Sequence, residues 1–169
     1  MRQLRYSVAS SLDGFIAGPL GEYDWIVPDP SFDFAALWDQ FDTLLMGRRT
    51  FEVAIKRFPS LKAMGKKVVV ISTTLKQYPG ATILNSNVPE AIAALKAESG
   101  KDIWLMGGGA LFRTLLDANL VDTVELSVIP ILLGSGTPLL PAGHRCPLRL
   151  EQSSTLPNGT LILRYSVTR

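Results

Sequence analysis

Short apolar runs alternate with stretches of helical spacing along most of the chain. LRYSVAS (4–10), TLLMG (43–47), KVVVIS (67–72), ATIL (81–84), DIWLM (102–106) and DTVELSVIP (122–130) read as strands. KVVVIS is continuously apolar and β-branched, the pattern of a central strand covered on both faces. Helical spacing marks residues 31–40, with Ser31 as N-cap and Phe34, Leu37, Trp38 and Phe41 on one face. Further helices are expected from Arg48 to Lys56, over 89–97 behind Asn87 as cap, and over 110–118. The tail holds two β-type runs, 149–155 and 160–167, around the turn LPNG, which predicts an antiparallel hairpin. The segment SLDGFIAGPLGEYDW (11–25), with three glycines and a proline, reads as an irregular, mobile loop. Strands alternating with helices predict an α/β fold with a mixed, mostly parallel sheet closed by the hairpin.

Three of these strands end in groups suited to phosphate. In DIWLMGGGA the apolar run gives way to Gly107, Gly108 and Gly109 and then to an amphipathic stretch. Bare backbone lets an oxygen approach the main chain, and the following helix offers unpaired N–H groups and a positive dipole end. A tight ligand-free turn has the same sequence. MGRRTFE places Arg48, Arg49 and Thr50 directly after a buried strand. Ligands of open parallel sheets bind beyond the carboxyl ends of strands, and guanidinium grips phosphate bidentately. Solvated surface charges are the other reading. Ser72, Thr73 and Thr74 end the next strand, where hydroxyls serve phosphates or cap turns. The convergence of the three is more telling than any one.

Composition narrows the partners. At 169 residues the chain fits one domain, 1–169, and 47% hydrophobic with 19% charged residues permits a sheet buried under helices or a subunit interface. The net charge is +2 and the basic residues are dispersed, so no stripe suits nucleic acid. One cysteine, Cys146, precludes an internal disulfide and suggests a reducing cytoplasm. The N-terminal segment lacks a signal core, and no apolar run is long enough to span a membrane. With His144 as the lone histidine, no metal site is expected.

The ordered set VASSLDGFIAG, LLMGRRTFE, VVVIST, DIWLMGGGALFRTLL and LVDTVELSVIPILLGSG resembles the dihydrofolate reductase-like superfamily. Within it the chain is most similar to stand-alone relatives of the reductase domain of bacterial riboflavin biosynthesis enzymes, from about Leu4 to Val167. The resemblance implies a three-layer sandwich and an NADPH-dependent reductase acting on a small pterin- or pyrimidine-like heterocycle. It implies that Arg48, Arg49 and Thr50 lie near the cofactor phosphates and that Ser72 and Thr73 meet the adenosine 2′-phosphate. Gly107, Gly108 and Gly109, with Ala110 and Leu111, would form the pyrophosphate turn, and Ala9, Ile16 and Ala17 would hold the nicotinamide. The narrower alternative is the 5-amino-6-(5-phosphoribosylamino)uracil reductase of riboflavin synthesis; a rival of another class is a non-catalytic NADP(H)-binding module.

Three residues are candidates for the substrate side. Asp33 lies near the acidic position that binds the pterin in dihydrofolate reductases, or it is a first-turn residue favoured by the helix dipole. Asp13 orients a substrate or forms an Asx-turn with Gly14, and Trp25 packs over the pocket or in the core. The chain departs from the riboflavin-pathway pattern in carrying FEVAIKRFPSLKAMGKK after its second strand, without an Asp-Asp-Pro loop, and Met106 before the glycines. The late loop PILLGSGTPLL (130–140) is apolar; the resemblance implies that it lies near the final strands, where pairing would support a homodimer.

Overall fold

Val68, Val69 and Val70 are almost wholly buried, and they alternate between two separate apolar clusters. A strand buried on both faces needs cover on both, and helices supply it. The structure, a computed structural model, describes residues 1–58 and 60–168. In chain order the elements are β1 (Leu4–Ser11), β2 (Phe15–Ala17), α1 (Phe34–Asp39), β3 (Phe41–Gly47), α2 (Arg48–Ala54), β4 (Lys67–Ile71) and β5 (Ala81–Leu84). There follow α3 (Val88–Ala97), β6 (Asp102–Leu105), α4 (Gly109–Asp117), β7 (Thr123–Ile129), β8 (Thr137–Pro138), β9 (Leu148–Thr155) and β10 (Leu161–Val167).

Among the described residues, eight strands form one sheet in the order β5-β4-β3-β6-β1-β7-β10-β9. The first six run parallel, while β10 is antiparallel to β7 and β9 to β10. The fold is the expected three-layer α/β sandwich with a C-terminal antiparallel hairpin. On one face Leu4, Tyr6, Leu45, Val69, Ile103 and Leu105 pack against α3 and α4. Leu111, Phe112, Leu115 and Leu116 form the buried stripe of α4, and Phe112 stacks on Tyr6 with centroids 3.8 Å apart. On the other face Phe41, Leu44, Met46, Val68, Val70 and Trp104 pack with Phe51 of α2 and a 3-10 turn at Leu61–Met64. Each such side chain, fully buried, contributes about 1.5–3 kcal/mol.

Local chemistry moves three of the expected boundaries. Ser31 is not the cap of the first helix: its N–H and hydroxyl both donate to Asp29 Oδ1, at 2.9 and 2.7 Å, which holds 29–31 in a turn. Asp33 is the cap instead, accepting from Ala36 N at 2.8 Å, and Phe41 belongs to β3 rather than to the helix face. Asn87 precedes α3, but it sits in the left-handed region and its side chain makes no capping bond. The segment 11–25 is not wholly irregular. Gly14, at φ +86°, turns the chain so that β2 can pair antiparallel with β8.

Candidate functional site

The parallel strands deliver the three polar turns to one edge of the sheet. Gly47 and Ile71 are register partners at the carboxyl ends of β3 and β4. Met106 N donates to Leu45 O at 2.9 Å, bringing the glycine turn beside them. The chain passes from β1 to β3 and only later fills the gap with β6, so this edge is a topological switch point. A cleft of about 440 Å³ opens there, lined by Gly47, Arg48, Arg49, Thr50, Ile71, Ser72, Thr73, Thr74, Gly108, Ala110 and Leu111. Two arginines and no acidic residue line it.

The side chains in this cleft are not equally available. Arg48 is held by Glu52 one helical turn on, Nη1 to Oε1 at 2.6 Å, whereas Arg49 is exposed and makes no ion pair among the described residues. The Ser72 hydroxyl is buried and its oxygen accepts from Thr74 N and Leu75 N at 3.2 and 2.9 Å. Ser72 therefore shapes the turn, and Thr73 and Thr74 stand exposed beside it. Gly107 and Gly108 take φ of +140° and +90°, conformations that L side chains rarely adopt. A Cβ on Gly108 would lie 3.7 Å from Thr50 Oγ1. Gly109 is constrained differently: a Cβ there would meet the Pro138 carbonyl oxygen at 2.8 Å. Its missing side chain makes room for the late loop rather than for a ligand.

Ala9, Ile16 and Ala17 do not line this cleft. Ala9 lies in β1, while Ile16 and Ala17 lie in β2, which pairs with the β8 segment packed on Gly109. Asp13 and Trp25 line no described cleft. The Asp13 carboxylate accepts from Ser11 Oγ at 2.6 Å and from Leu133 N and Gly134 N at 3.1 and 2.7 Å. These bonds, the Ser11 hydroxyl foremost, hold its pKa below the usual carboxylate value. The local turn is closed by the backbone, Gly14 N to Ser11 O at 3.1 Å. Trp25 is half-buried and donates through Nε1 to Glu22 O at 3.2 Å.

A second cleft, about 330 Å³, lies between the start of α1 and the face formed by β1, β7, β10 and β9. Asp33 lines it with Ser31, Phe32 and Leu37; the sheet contributes Arg5, Ser7, Glu125, Ser127, Gln152, Ser154, Ile162 and Arg164. Arg5 is almost wholly buried and fully engaged: Nε and Nη2 meet Glu125 at 2.8 and 2.9 Å, and Nη1 meets Gln40 and Asp102. Burial opposes its charge, but Glu125 and Asp102 outweigh that and raise its pKa. Of this cleft the sequence reading found only Asp33. Those contributed by the sheet sit at alternate positions of four strands distant in sequence, a pattern that reads as the solvent side of each strand. In the first cleft Gly47 and Ile71 were missed although each adjoins a residue that was singled out, and Thr74 lines it beside Ser72 and Thr73. Among the described residues no cluster of His, Cys, Asp or Glu could hold a metal ion, and no helix is long and apolar enough to cross a membrane.

The sheet order and the carboxyl-edge cleft define a dihydrofolate reductase-like α/β domain. A family model described as the RibD C-terminal domain matches residues 2–162, and the chain belongs to that family. It is 34% identical to the uncharacterized protein YyaP of Bacillus subtilis, over 97% of this chain and 94% of that one. It is 27% identical to the riboflavin biosynthesis protein RibD of Corynebacterium ammoniagenes, over 88% of this chain but 48% of the larger protein. Among solved structures, a candidate riboflavin biosynthesis protein from Shewanella sp. PV-4 superimposes with a TM-score of 0.84 at 28% identity, covering 100% of both chains. Dihydrofolate reductase from Enterococcus faecalis, complexed with NADP(H), gives a TM-score of 0.75 at 19% identity, covering 99% and 97%. That last likeness is one of fold.

Proposed function

We propose that the chain is an NADPH-dependent reductase that transfers hydride to a small pterin- or pyrimidine-like heterocycle. The observation that carries this reading is the convergence of GRRT, STT and the glycine turn on one cleft with two arginines and no acid. The cleft fits a dinucleotide phosphate chain in kind: the glycines at Gly107 and Gly108 take positive φ, Arg49 makes no ion pair among the described residues, and Thr73 and Thr74 add hydroxyls. A nicotinamide supplies the hydride when bound. The protein's part is to grip the phosphates, orient the ring and exclude water, which is most of what hydride transfer asks of side chains. The second cleft, with the Asp33 carboxylate on one wall and Phe32, Leu37 and Ile162 as apolar surface, is the seat for the acceptor.

Family membership favours a second, narrower reading, the 5-amino-6-(5-phosphoribosylamino)uracil reductase. A non-catalytic NADP(H)-binding module is the remaining rival. Thermal unfolding with NADPH, with NADH and without ligand tests the shared core of all three. A ligand at 100 times its Kd, bound only to the folded state, stabilises by about 2.7 kcal/mol. No shift with NADPH overturns the reading. Oxidation of NADPH against the phosphoribosylaminouracil supports the narrower enzyme, oxidation against other pterins or pyrimidines the broader one, and binding without oxidation the module.

The same reading includes a homodimer in the cytoplasm. Every residue of the edge strand β9 is exposed, and Leu148, Leu150 and Leu161 of the hairpin present uncovered apolar surface. Light scattering on the purified chain measures this directly, and a monomer at micromolar concentration contradicts it.

A further inference from the structure

The ladder between β1 and β6 stops early. Leu4, Arg5 and Tyr6 pair with Ile103, Trp104 and Leu105, and from Ser7 onward β1 is paired only on its β7 side. Ile103 N donates to Gln3 O at 2.9 Å, so four residues further along both strands the same register sets Gly107 N against the Ser7 carbonyl. That bond is not made. The Trp104 indole takes the carbonyl instead, donating through Nε1 to Ser7 O at 2.8 Å. Met106 N is held by Leu45 O of β3, whereas Gly107 N has no partner among the described residues. Packing fixes the indole in this pose: Trp104 is almost wholly buried, with Phe41, Trp38 and Phe34 at ring centroids 4.9, 5.8 and 6.0 Å away.

The Trp104–Ser7 bond stands between the two clefts. Ser7 lines the second. Gly108, next to Gly107, and Thr50, 3.8 Å from the place of a Gly107 Cβ, line the first. Gly107 is itself buried, and a buried main-chain N–H without a partner is rare in a folded protein. A ladder that ran on through Gly107 would engage that N–H and close the seam between the strands. We propose that Trp104 is a positioning residue: by occupying the Ser7 carbonyl it keeps β1 and β6 apart at the switch point and leaves the Gly107 N–H for the cofactor. The proposal rests on the reading of the first cleft as a dinucleotide site.

The test uses the full chain, NADP⁺ as the probe, and two substitutions. W104F keeps an aromatic ring and removes the donor. W104H discards the benzo ring but can place its Nε2–H where the indole Nε1–H was. In the wild type, NMR couplings across hydrogen bonds should join Trp104 Nε1, and not Gly107 N, to the Ser7 carbonyl carbon. In W104F the Gly107 nitrogen should couple to that carbon and its amide should exchange about tenfold more slowly. NADP⁺ affinity should fall about fivefold in W104F and return to within about twofold of wild type in W104H, the size of one hydrogen bond. Equal losses in the two variants assign the effect to packing and overturn the proposal, as does Gly107 exchange in W104F that matches the wild type. If W104F does not fold, the wild type alone decides. NADP⁺ should then slow Gly107 exchange while the Trp104–Ser7 coupling persists, and an unmoved Gly107 or a lost coupling overturns the assignment. A wild type that binds no NADP⁺ removes the dinucleotide reading and with it the cofactor's claim on Gly107, whereas the exchange of Gly107 in W104F still decides whether Trp104 holds the seam open.

Discussion

The Asp13 carboxylate accepts the backbone N–H of Gly134 at 2.7 Å, joining two loops 121 residues apart in sequence. The late loop so held continues into β8, which pairs with β2 and packs its Pro138 carbonyl on Gly109. Asp13 thus fixes a strap that touches the glycine turn, a positioning task at a distance from the chemistry. D13A should raise the exchange rate of the Gly134 amide and of amides 15–17 in hydrogen-exchange mass spectrometry. Unchanged protection there contradicts the strap.

Acid should reveal the same bonds. Asp29, like Asp13, has its pKa lowered, first by the Ser31 hydroxyl and then by the N–H groups of Ser31 and Asn158. A carboxylate with a depressed folded pKa stabilises the protein above its unfolded pKa, about 3.9, and that stability is lost as pH falls through the folded value. Thermal midpoints should therefore drop as pH is lowered from about 5 toward 3. D13N and D29N should flatten that decline while costing stability at neutral pH. Parallel acid curves for wild type and variants contradict this.

Two glycines of the same turn should fail for different reasons. G109A places a methyl 2.8 Å from the Pro138 oxygen and 3.2 Å from that of Leu139, so the loop must shift, at a cost of about 1–3 kcal/mol. G108A has space, since its nearest neighbour is 3.7 Å away, but it forces a φ of +90° on an L residue. Urea midpoints should fall for both, and only G109A should change exchange in 137–141.

The arginines of the cofactor cleft should differ likewise. Arg49 has no ion-pair partner among the described residues, whereas Arg48 must leave Glu52 before it meets a phosphate. A surface i,i+4 pair is worth about 0.3–0.5 kcal/mol, so the difference is modest. R49A should lose more NADPH affinity than R48A, and E52Q should gain about twofold by releasing Arg48. Equal losses for NADPH and NADH in R49A place that side chain on the pyrophosphate rather than the 2′-phosphate. Fluorescence titration of both cofactors reads all of these.

Much of the first cleft was legible because each of its parts is contiguous: a buried strand followed at once by GRRT, STT or GGG. The central strands were equally plain, since unbroken runs such as Val68–Val70 have few other uses. Two-residue β8 was not, because only its pairing with β2 makes it a strand. The cap at Asp33 was lost to Ser31, which is as good a cap by type but donates to Asp29 Oδ1, while Asn158 N, distant in sequence, donates to the other oxygen of that carboxylate. Nothing in the sequence joins Ser7, Glu125, Arg164 and Gln152, whose adjacency comes from sheet register alone.

The place of β1 in the sheet has a consequence for the order of assembly. It is made first, yet its two neighbours are β6, through Leu4 with Ile103, and β7, through Arg5 with Thr123. On the ribosome that strand must wait, unpaired along both edges, until most of the chain has emerged. β3, β4 and β5 pair among themselves over much shorter separations. Closing such long loops slows folding. The half of the sheet bearing the arginine and threonine turns therefore has the means to form early, and the glycine turn joins it only when β6 closes the gap and gives the first strand its place.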